Sequence, residues 1–170
     1  MIGIYLCDDE DSVRHQIQTA LEWKIIVANY DMEVVCSAAK AQELLDAVED
    51  SKQGVYFLDV DLKDEEWDGF RLGRELRRRD PRGTLVYITS YEDLAWHTFQ
   101  YHLEAFDYIV KGPEPVGPSA ARCLDEIHGR LLAERQAPTE TFTLRTGDMV
   151  RHVPLRDILF FETAPAPHHV

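Results

Sequence analysis

Val55-Tyr56-Phe57-Leu58-Asp59-Val60-Asp61-Leu62 is the stretch whose reading decides the fold. Its first four residues are apolar, and all but Leu58 are β-branched or aromatic. Such a run predicts a strand buried on both faces, as in the middle of a parallel sheet. It ends abruptly at two carboxylates, and the solvent-loving segment Lys63-Asp64-Glu65-Glu66 follows. Asp59 is therefore expected at the carboxyl end of a central strand, where open α/β sheets place their ligand sites.

Outward from this strand the chain alternates strand and helix. Upstream, residues 2–7 form a short apolar strand ended by Asp8-Asp9-Glu10. A helix follows with Val13, Ile17, Leu21, Ile25 and Ala28 on its inward face. Residues 32–36 read as the second strand, and 39–48 as an amphipathic helix burying Leu44, Leu45 and Val48. Downstream, a helix begins near Asp68-Gly69-Phe70 and stops at Asp80-Pro81, a helix breaker. Residues 84–89 give the fourth strand, 94–101 a short helix and 105–110 the fifth strand. The Gly/Pro-rich loop 112–118 precedes a last helix that buries Ala120, Leu124, Ile127 and Leu131. Five βα repeats predict a flavodoxin-like α/β fold with a central five-stranded parallel sheet, right-handed crossovers and helices on both faces.

Composition sets the outer limits. A chain of 170 residues is long enough for one well-buried domain and a fragment of another. With 45% apolar and 29% charged residues it reads as a soluble globular protein. No run approaches the roughly 18 apolar residues of a membrane span, and the N-terminus lacks a signal-peptide pattern. Cys7, Cys36 and Cys123 sit in apolar runs without metal-ligand spacing, which suggests core packing in a reducing, cytoplasmic compartment. A net charge of -13 argues against a constitutive nucleic-acid binder.

The predicted topology collects chemistry on one edge. The carboxyl ends of the strands carry Asp8 and Asp9, then Asp59 with Asp61, then Thr89, then Lys111. Strands one and three are neighbours in the flavodoxin-like order, so several carboxylates converge on one crevice. Two unit charges about 4 Å apart repel by roughly 4 kcal/mol at an effective dielectric near 20. Such a cluster needs a divalent cation, protonation or wide spacing. Mg²⁺ suits it best, as a hard ion held by carboxylates, waters and phosphate oxygens. With Lys111 to neutralise another oxygen and the Thr89 hydroxyl to donate to it, the set describes phosphoryl transfer onto Asp59. Taken singly, an Asp pair is more often a turn or cap and a strand-end lysine is ordinarily solvated; the convergence of four strand ends carries the reading.

Leu6-Cys7-Asp8-Asp9-Glu10, the Asp59 strand, Asp68-Gly69-Phe70, Ile88-Thr89-Ser90 and Asp107-Tyr108-Ile109-Val110-Lys111 resemble the receiver domain of bacterial two-component response regulators. The resemblance covers residues 1–135. It implies that Asp59 takes a phosphoryl group from a sensor histidine kinase, with Mg²⁺ held by Asp8, Asp9, Asp59 and the backbone carbonyl of Asp61. Lys111 would contact the phosphoryl group and Thr89 would swing toward it. Tyr108 matches the aromatic that turns inward when that threonine moves; read alone, it is an ordinary half-buried strand aromatic. Homodimerisation through the fourth helix, fifth strand and fifth helix is a further family expectation. Two features depart from the pattern. Lys111 is followed by Gly112, with Pro113 only afterwards, which leaves the aim of Lys111 open. The usual proline of the loop after Asp59 is missing, and Asp64-Glu65-Glu66 brings negative charge that reads as solvation of an exposed loop.

After a linker at 136–140 the chain changes character. Residues 141–145 and 149–153, joined by a Gly147-Asp148 turn, predict a β-hairpin, and 158–162 a third strand. Leu155-Arg156-Asp157-Ile158-Leu159-Phe160-Phe161-Glu162 resembles the opening of a LytTR-type DNA-binding domain, the β-rich module of peptide-pheromone-controlled regulators. Residues 141–170 are accordingly expected to be an incomplete module of that type. His168 aligns with a DNA-contacting histidine of such domains, whereas without the resemblance it belongs to a frayed tail. Promoter DNA is expected as a partner of a full-length protein only.

Two other readings stand beside this one. Asp59-Val60-Asp61 also resembles the opening motif of haloacid-dehalogenase-type phosphatases, but those place the motif on the first strand and the acidic pair late. A receiver used only for dimerisation, without phosphorylation, is the other. The main expectation is a phosphoacceptor that is not a turnover enzyme, with at most slow self-dephosphorylation.

Overall fold

The computed structural model describes residues 1–49, 53–90, 104–113, 115–136, 141–146, 149–155 and 158. Contacts divide the chain into two units, Met1–Arg130 and Leu131–Val170. In the first unit the strands β1 (Ile2–Cys7), β2 (Met32–Ala38), β3 (Gly54–Asp59), β4 (Thr84–Thr89) and β5 (Asp107–Val110) form one sheet in the order β2-β1-β3-β4-β5. All four pairings are parallel, which is the expected doubly wound topology. The described helices are α1 (Asp11–Ala28), α2 (Ala41–Ala47), α3 (Gly69–Arg79) and α4 (Val116–Gln136). The short helix expected over 94–101 lies outside the described residues, so α4 is the helix that follows the fifth strand.

Every residue of β3 is buried, which explains why its sequence does not alternate. Successive side chains go to opposite faces. Tyr5, Cys7, Tyr56, Leu58, Leu85 and Tyr87 pack in one core with Leu44 and Leu45 of α2 and Phe70, Leu72 and Leu76 of α3. The alternate residues, Ile4, Leu6, Val55, Phe57, Val86 and Ile88, are equally buried. Helices α1 and α4, which bury Ile17, Leu21, Ala120, Leu124 and Ile127, are tied together by Tyr30 and Lys24: both bond the Asp125 carboxylate, at 2.6 Å each. A hydroxyl and an ammonium on one side chain hold the last turns of α1 to the middle of α4.

The element ends differ from the sequence expectations where local geometry overrides pattern. Helix α1 buries Ile17 and Leu21 as its periodicity demands, but Ala28 is exposed. There the helix unwinds into a left-handed Asn29 (φ 52°), and Asn29 N–H and Tyr30 N–H donate back to Ile26 and Ile25 carbonyls. Strand β2 runs on to Ala38, and Val35 is skipped in its pairing with β1, a bulge that leaves this residue half-exposed. Strand β5 begins at Asp107 rather than 105. Helix α4 begins at Val116, inside the expected loop, with Pro118 in its first turn where a missing N–H costs no helical hydrogen bond. It runs to Gln136, one residue into the expected linker.

At the amino end of the sheet Asp80, which ends α3, is buried and fully used. Its carboxylate accepts from Gly54 N–H at 2.8 Å, Tyr56 O–H at 3.0 Å and Arg82 N–H at 3.2 Å. This fastens the start of β3 to the α3–β4 turn, away from the candidate site. Asp80→Ala leaves two buried donors unpartnered. A loss of about 2–3 kcal/mol of unfolding free energy is expected from urea titration, and a loss below about 0.5 kcal/mol would refute the role given to it.

In the second unit β6 (Thr141–Thr146) and β7 (Met149–Pro154) pair antiparallel, with Thr146 opposite Met149. The predicted hairpin is thus present, while its turn, most of the expected third strand and His168 lie outside the described residues. Phe142 and Leu144 share one face and are exposed.

Candidate functional site

The carboxyl edge of the sheet brings together what the sequence put there. Asp8 directly follows β1, Asp59 closes β3, Thr89 closes β4 and Lys111 directly follows β5. Asp8 and Asp59 are 1% and 5% exposed and Thr89 is fully buried. Lys111 reaches both carboxylates: its Nζ lies 2.6 Å from Asp59 Oδ2 and 2.8 Å from Asp8 Oδ2. The glycine after Lys111 therefore does not misdirect it, because the backbone is held upstream, where Lys111 N–H donates to the Thr89 carbonyl at 2.7 Å.

The rest of the geometry follows from local hydrogen bonding. Asp8 Oδ1 accepts from Glu10 N–H at 2.9 Å, an Asx turn that swings the chain from β1 into α1. Asp59 Oδ1 accepts from Asp61 N–H at 3.3 Å, holding the loop after β3 against the carboxylate. Gly69, in the Asp68-Gly69-Phe70 motif, is required by proximity: a Cβ there would lie 2.1 Å from the Asp59 carbonyl oxygen. Asp68 caps α3 by accepting from Arg71 N–H at 2.7 Å. The motif thus presses the start of α3 onto the end of β3 and fixes the backbone of Asp59.

Asp8, Asp9 and Asp59 each offer an oxygen, all within 4.8 Å of one another. An octahedral magnesium with bonds of about 2.1 Å places its ligand oxygens roughly 3 to 4 Å apart, so this set needs only slight contraction. An all-oxygen, all-anionic donor set fits a hard divalent cation and not a thiophilic one. The electrostatics agree. Burial pushes the Asp59 and Asp8 carboxyls above the ordinary range, and the hydrogen bonds from Lys111 only partly oppose it. Burial pulls Lys111 down, but its bonds to Asp59 and Asp8 outweigh this and leave it raised.

Thr89 and Tyr108 are linked to each other by a side-chain hydrogen bond. Tyr108 is half-buried, packs against the α2–α3 core and lies 6.4 Å, centroid to centroid, from Tyr87. Burial pushes its phenol up to about 12, with the Thr89 bond opposing. Asp64 is not part of that oxygen cluster, and its Oδ1 closes its own turn by accepting from Glu66 and Trp67 N–H. Two residues at the site were not singled out from the sequence. Arg14 donates to the Asp8 carbonyl at 2.7 Å, and nothing in its sequence context marks it. Lys63 Nζ lies 3.1 Å from Asp9 Oδ2; the visible signal was a lysine in a loop that lacks its usual proline.

Fold and site define a receiver of the kind found in two-component regulators. The response regulator receiver domain family matches residues 4–116, and the chain belongs to that family. It is 31% identical over 98% of its length to accessory gene regulator protein A of Staphylococcus aureus (strain N315), covering 71% of that protein. Identity to the protein of the same name from Staphylococcus epidermidis is 29%, with the same coverage of both chains. Among solved structures, the REC domain of AraT, a response regulator from Geobacillus stearothermophilus, superposes with a TM-score of 0.62 at 23% identity. That match covers 79% of this chain and 98% of the other. The response regulatory domain of mrkE from Klebsiella pneumoniae gives 0.58 at 24%, covering 79% of this chain and 100% of that one. Among the described residues no helix is long and apolar enough to cross a membrane.

The raised carboxyls have a consequence for stability. A carboxyl whose folded value exceeds its ordinary 3.8 holds its proton more tightly folded than unfolded. The stability tied to it is complete below that ordinary value and is lost as pH rises through the folded one. Asp8→Asn removes one such group and weakens the repulsion on Asp59. In urea titrations with EDTA, its stability relative to wild type is expected to increase from about pH 4 to about pH 7; a flat or falling difference would contradict the burial cost assigned to this pair.

Proposed function

We propose that Asp59 accepts a phosphoryl group from a phosphohistidine of a sensor kinase, with Mg²⁺, and that this switches the output of a longer regulator. The observation that carries the reading is the Lys111 ammonium lodged between Asp59 and Asp8, with Asp9 in the same oxygen cluster. Asp8, Asp9, Asp59 and the Asp61 carbonyl would hold Mg²⁺. When bound, the metal supplies charge neutralisation for the oxygens of the transferred group.

The chain's own residues supply the rest. A carboxylate oxygen of Asp59 forms the new bond to phosphorus while the donor's P–N bond breaks. The imidazole nitrogen keeps the electron pair, and the product is an acyl phosphate. Lys111, already hydrogen-bonded to Asp59, moves with little reorganisation onto a phosphoryl oxygen. Thr89 exchanges its bond with Tyr108 for one to the phosphoryl group, which frees the tyrosine to turn inward. Contacts made only in the phosphorylated state shift the population toward a different β4–β5 surface.

The output follows from the relatives by proposal only. We assign residues 1–135 to the receiver, 136–140 to a linker and 141–170 to the opening of a LytTR-type module, with His168 a candidate DNA contact. The name of the relatives, accessory gene regulator, supports a role in transcription regulation. Promoter DNA would be bound by a full-length protein in the cytoplasm, as a homodimer through the face of the fourth helix, fifth strand and fifth helix. The chain itself acts as phosphoacceptor and not as a turnover enzyme.

Acetyl phosphate with Mg²⁺ is expected to add one phosphoryl group to the wild-type chain by intact mass. EDTA should abolish the addition, and Asp59→Asn should remain unlabelled. Equal labelling of Asp59→Asn would overturn the assignment. Repeated turnover of a phosphomonoester would move the site to the dehalogenase-type reading.

A further inference from the structure

The pocket holds a second cation that the receiver chemistry does not use. Lys63 stands four residues after Asp59, in the loop that leads to α3. Its backbone is left-handed (φ 45°), a conformation that residues with a Cβ rarely adopt. Its ammonium lies 3.1 Å from Asp9 Oδ2, and the charges of Asp61 and Glu10 also act on it. The side chain is 70% exposed, so packing does not place it there. What holds it is attraction to the acid pocket.

The two lysines differ in kind. Lys111 is 12% exposed and bonded to two carboxylates, so it belongs to the site in every state. Lys63 is bonded to one carboxylate at the mouth and can leave into water without uncovering anything buried. Asp9, its partner, is one of the three residues whose oxygens gather within 4.8 Å. A dication on that carboxylate and an ammonium at hydrogen-bond distance from it repel each other.

We infer that Lys63 is a tethered counter-cation that neutralises Asp9 in the metal-free protein and competes with Mg²⁺ for the acid pocket. This rests on the reading of Asp8, Asp9 and Asp59 as the Mg²⁺ site. Being covalently attached, Lys63 competes at a fixed local concentration. Being exposed, it competes weakly, as solvent-exposed ion pairs do. Lys63 therefore raises the magnesium concentration at which the site loads, and with it the threshold for phosphorylation. The loop's usual proline could not do this, having no charge to offer.

The test is calorimetric titration of the full chain with MgCl₂ alone. Lys63→Gln, similar in length and uncharged, is expected to bind Mg²⁺ about 2–5-fold more tightly than wild type. Lys63→Arg keeps a cation and should stay within about twofold of wild type. Arg78→Gln removes an exposed charge paired with Glu75 at the far end of α3 and should likewise stay within about twofold, since charges beyond a Debye length are screened. Unchanged or weaker binding by Lys63→Gln overturns the inference, and so does an equal gain in Arg78→Gln, which would make the effect one of net charge. If wild type itself binds no Mg²⁺, the metal reading of the site fails and this inference fails with it.

Discussion

One ammonium between two buried carboxylates is the interaction on which the rest of this structure depends. Lys111 comes from the end of β5, Asp59 from β3 and Asp8 from the end of β1, so a single side chain ties three strand ends across the sheet. The tie is incomplete as a charge balance. Burying two carboxylates costs more than one ammonium returns, and both carboxyls are held above their ordinary range. A site in this condition gains from any further positive charge, whether a divalent ion or a lysine at the rim. Perturbed titratable groups gathered in one crevice mark a functional site, and here burial raises the two carboxyls while the Lys111 bonds oppose it.

The fold keeps that arrangement in place from both sides. At the site, the missing Cβ of Gly69 and the Asp68 cap let α3 start against the Asp59 carbonyl, so β3 cannot shift along its axis without moving a helix. At the opposite edge, Asp80 fastens the first residue of β3 through its N–H. A strand held at both ends and buried on both faces is a stiff mount. One strand away, Thr89 and Tyr108 share a hydrogen bond at the border of the core. Rigidity at β3 beside a side-chain hydrogen bond between β4 and β5 is the arrangement that the proposed switch would draw on.

The second unit has a different standing. The described hairpin exposes Phe142 and Leu144 on one face, and a two-stranded hairpin by itself is marginally stable at best. Its sequence resembles the opening of a DNA-binding module, and the relatives extend beyond the aligned region. The acidic character of the whole chain belongs mainly to the receiver, where Asp8, Asp9, Asp59 and the exposed carboxylates of the following loop are concentrated.

Much of this was legible in the sequence, for a physical reason. A parallel sheet writes itself as unbroken apolar runs ended by polar residues, and those ends share one edge. Asp8, Asp9, Asp59, Thr89 and Lys111 therefore fall together from the order of the strands alone. Hydrophobic period located the described helices, though not their ends, because caps and bulges such as Asn29, Val35 and Pro118 are settled by backbone hydrogen bonds that apolar patterning does not record. Side-chain direction over a flexible stem was decided only in three dimensions. That Lys111 bridges two carboxylates, that Lys63 folds back onto Asp9 and that Arg14 holds the Asp8 carbonyl all depend on distances between segments far apart or turned by loops. The sequence by itself determined which groups meet at the edge of the sheet; tertiary structure alone decided which of them touch, since contact is set by ångströms of loop geometry and not by order along the chain.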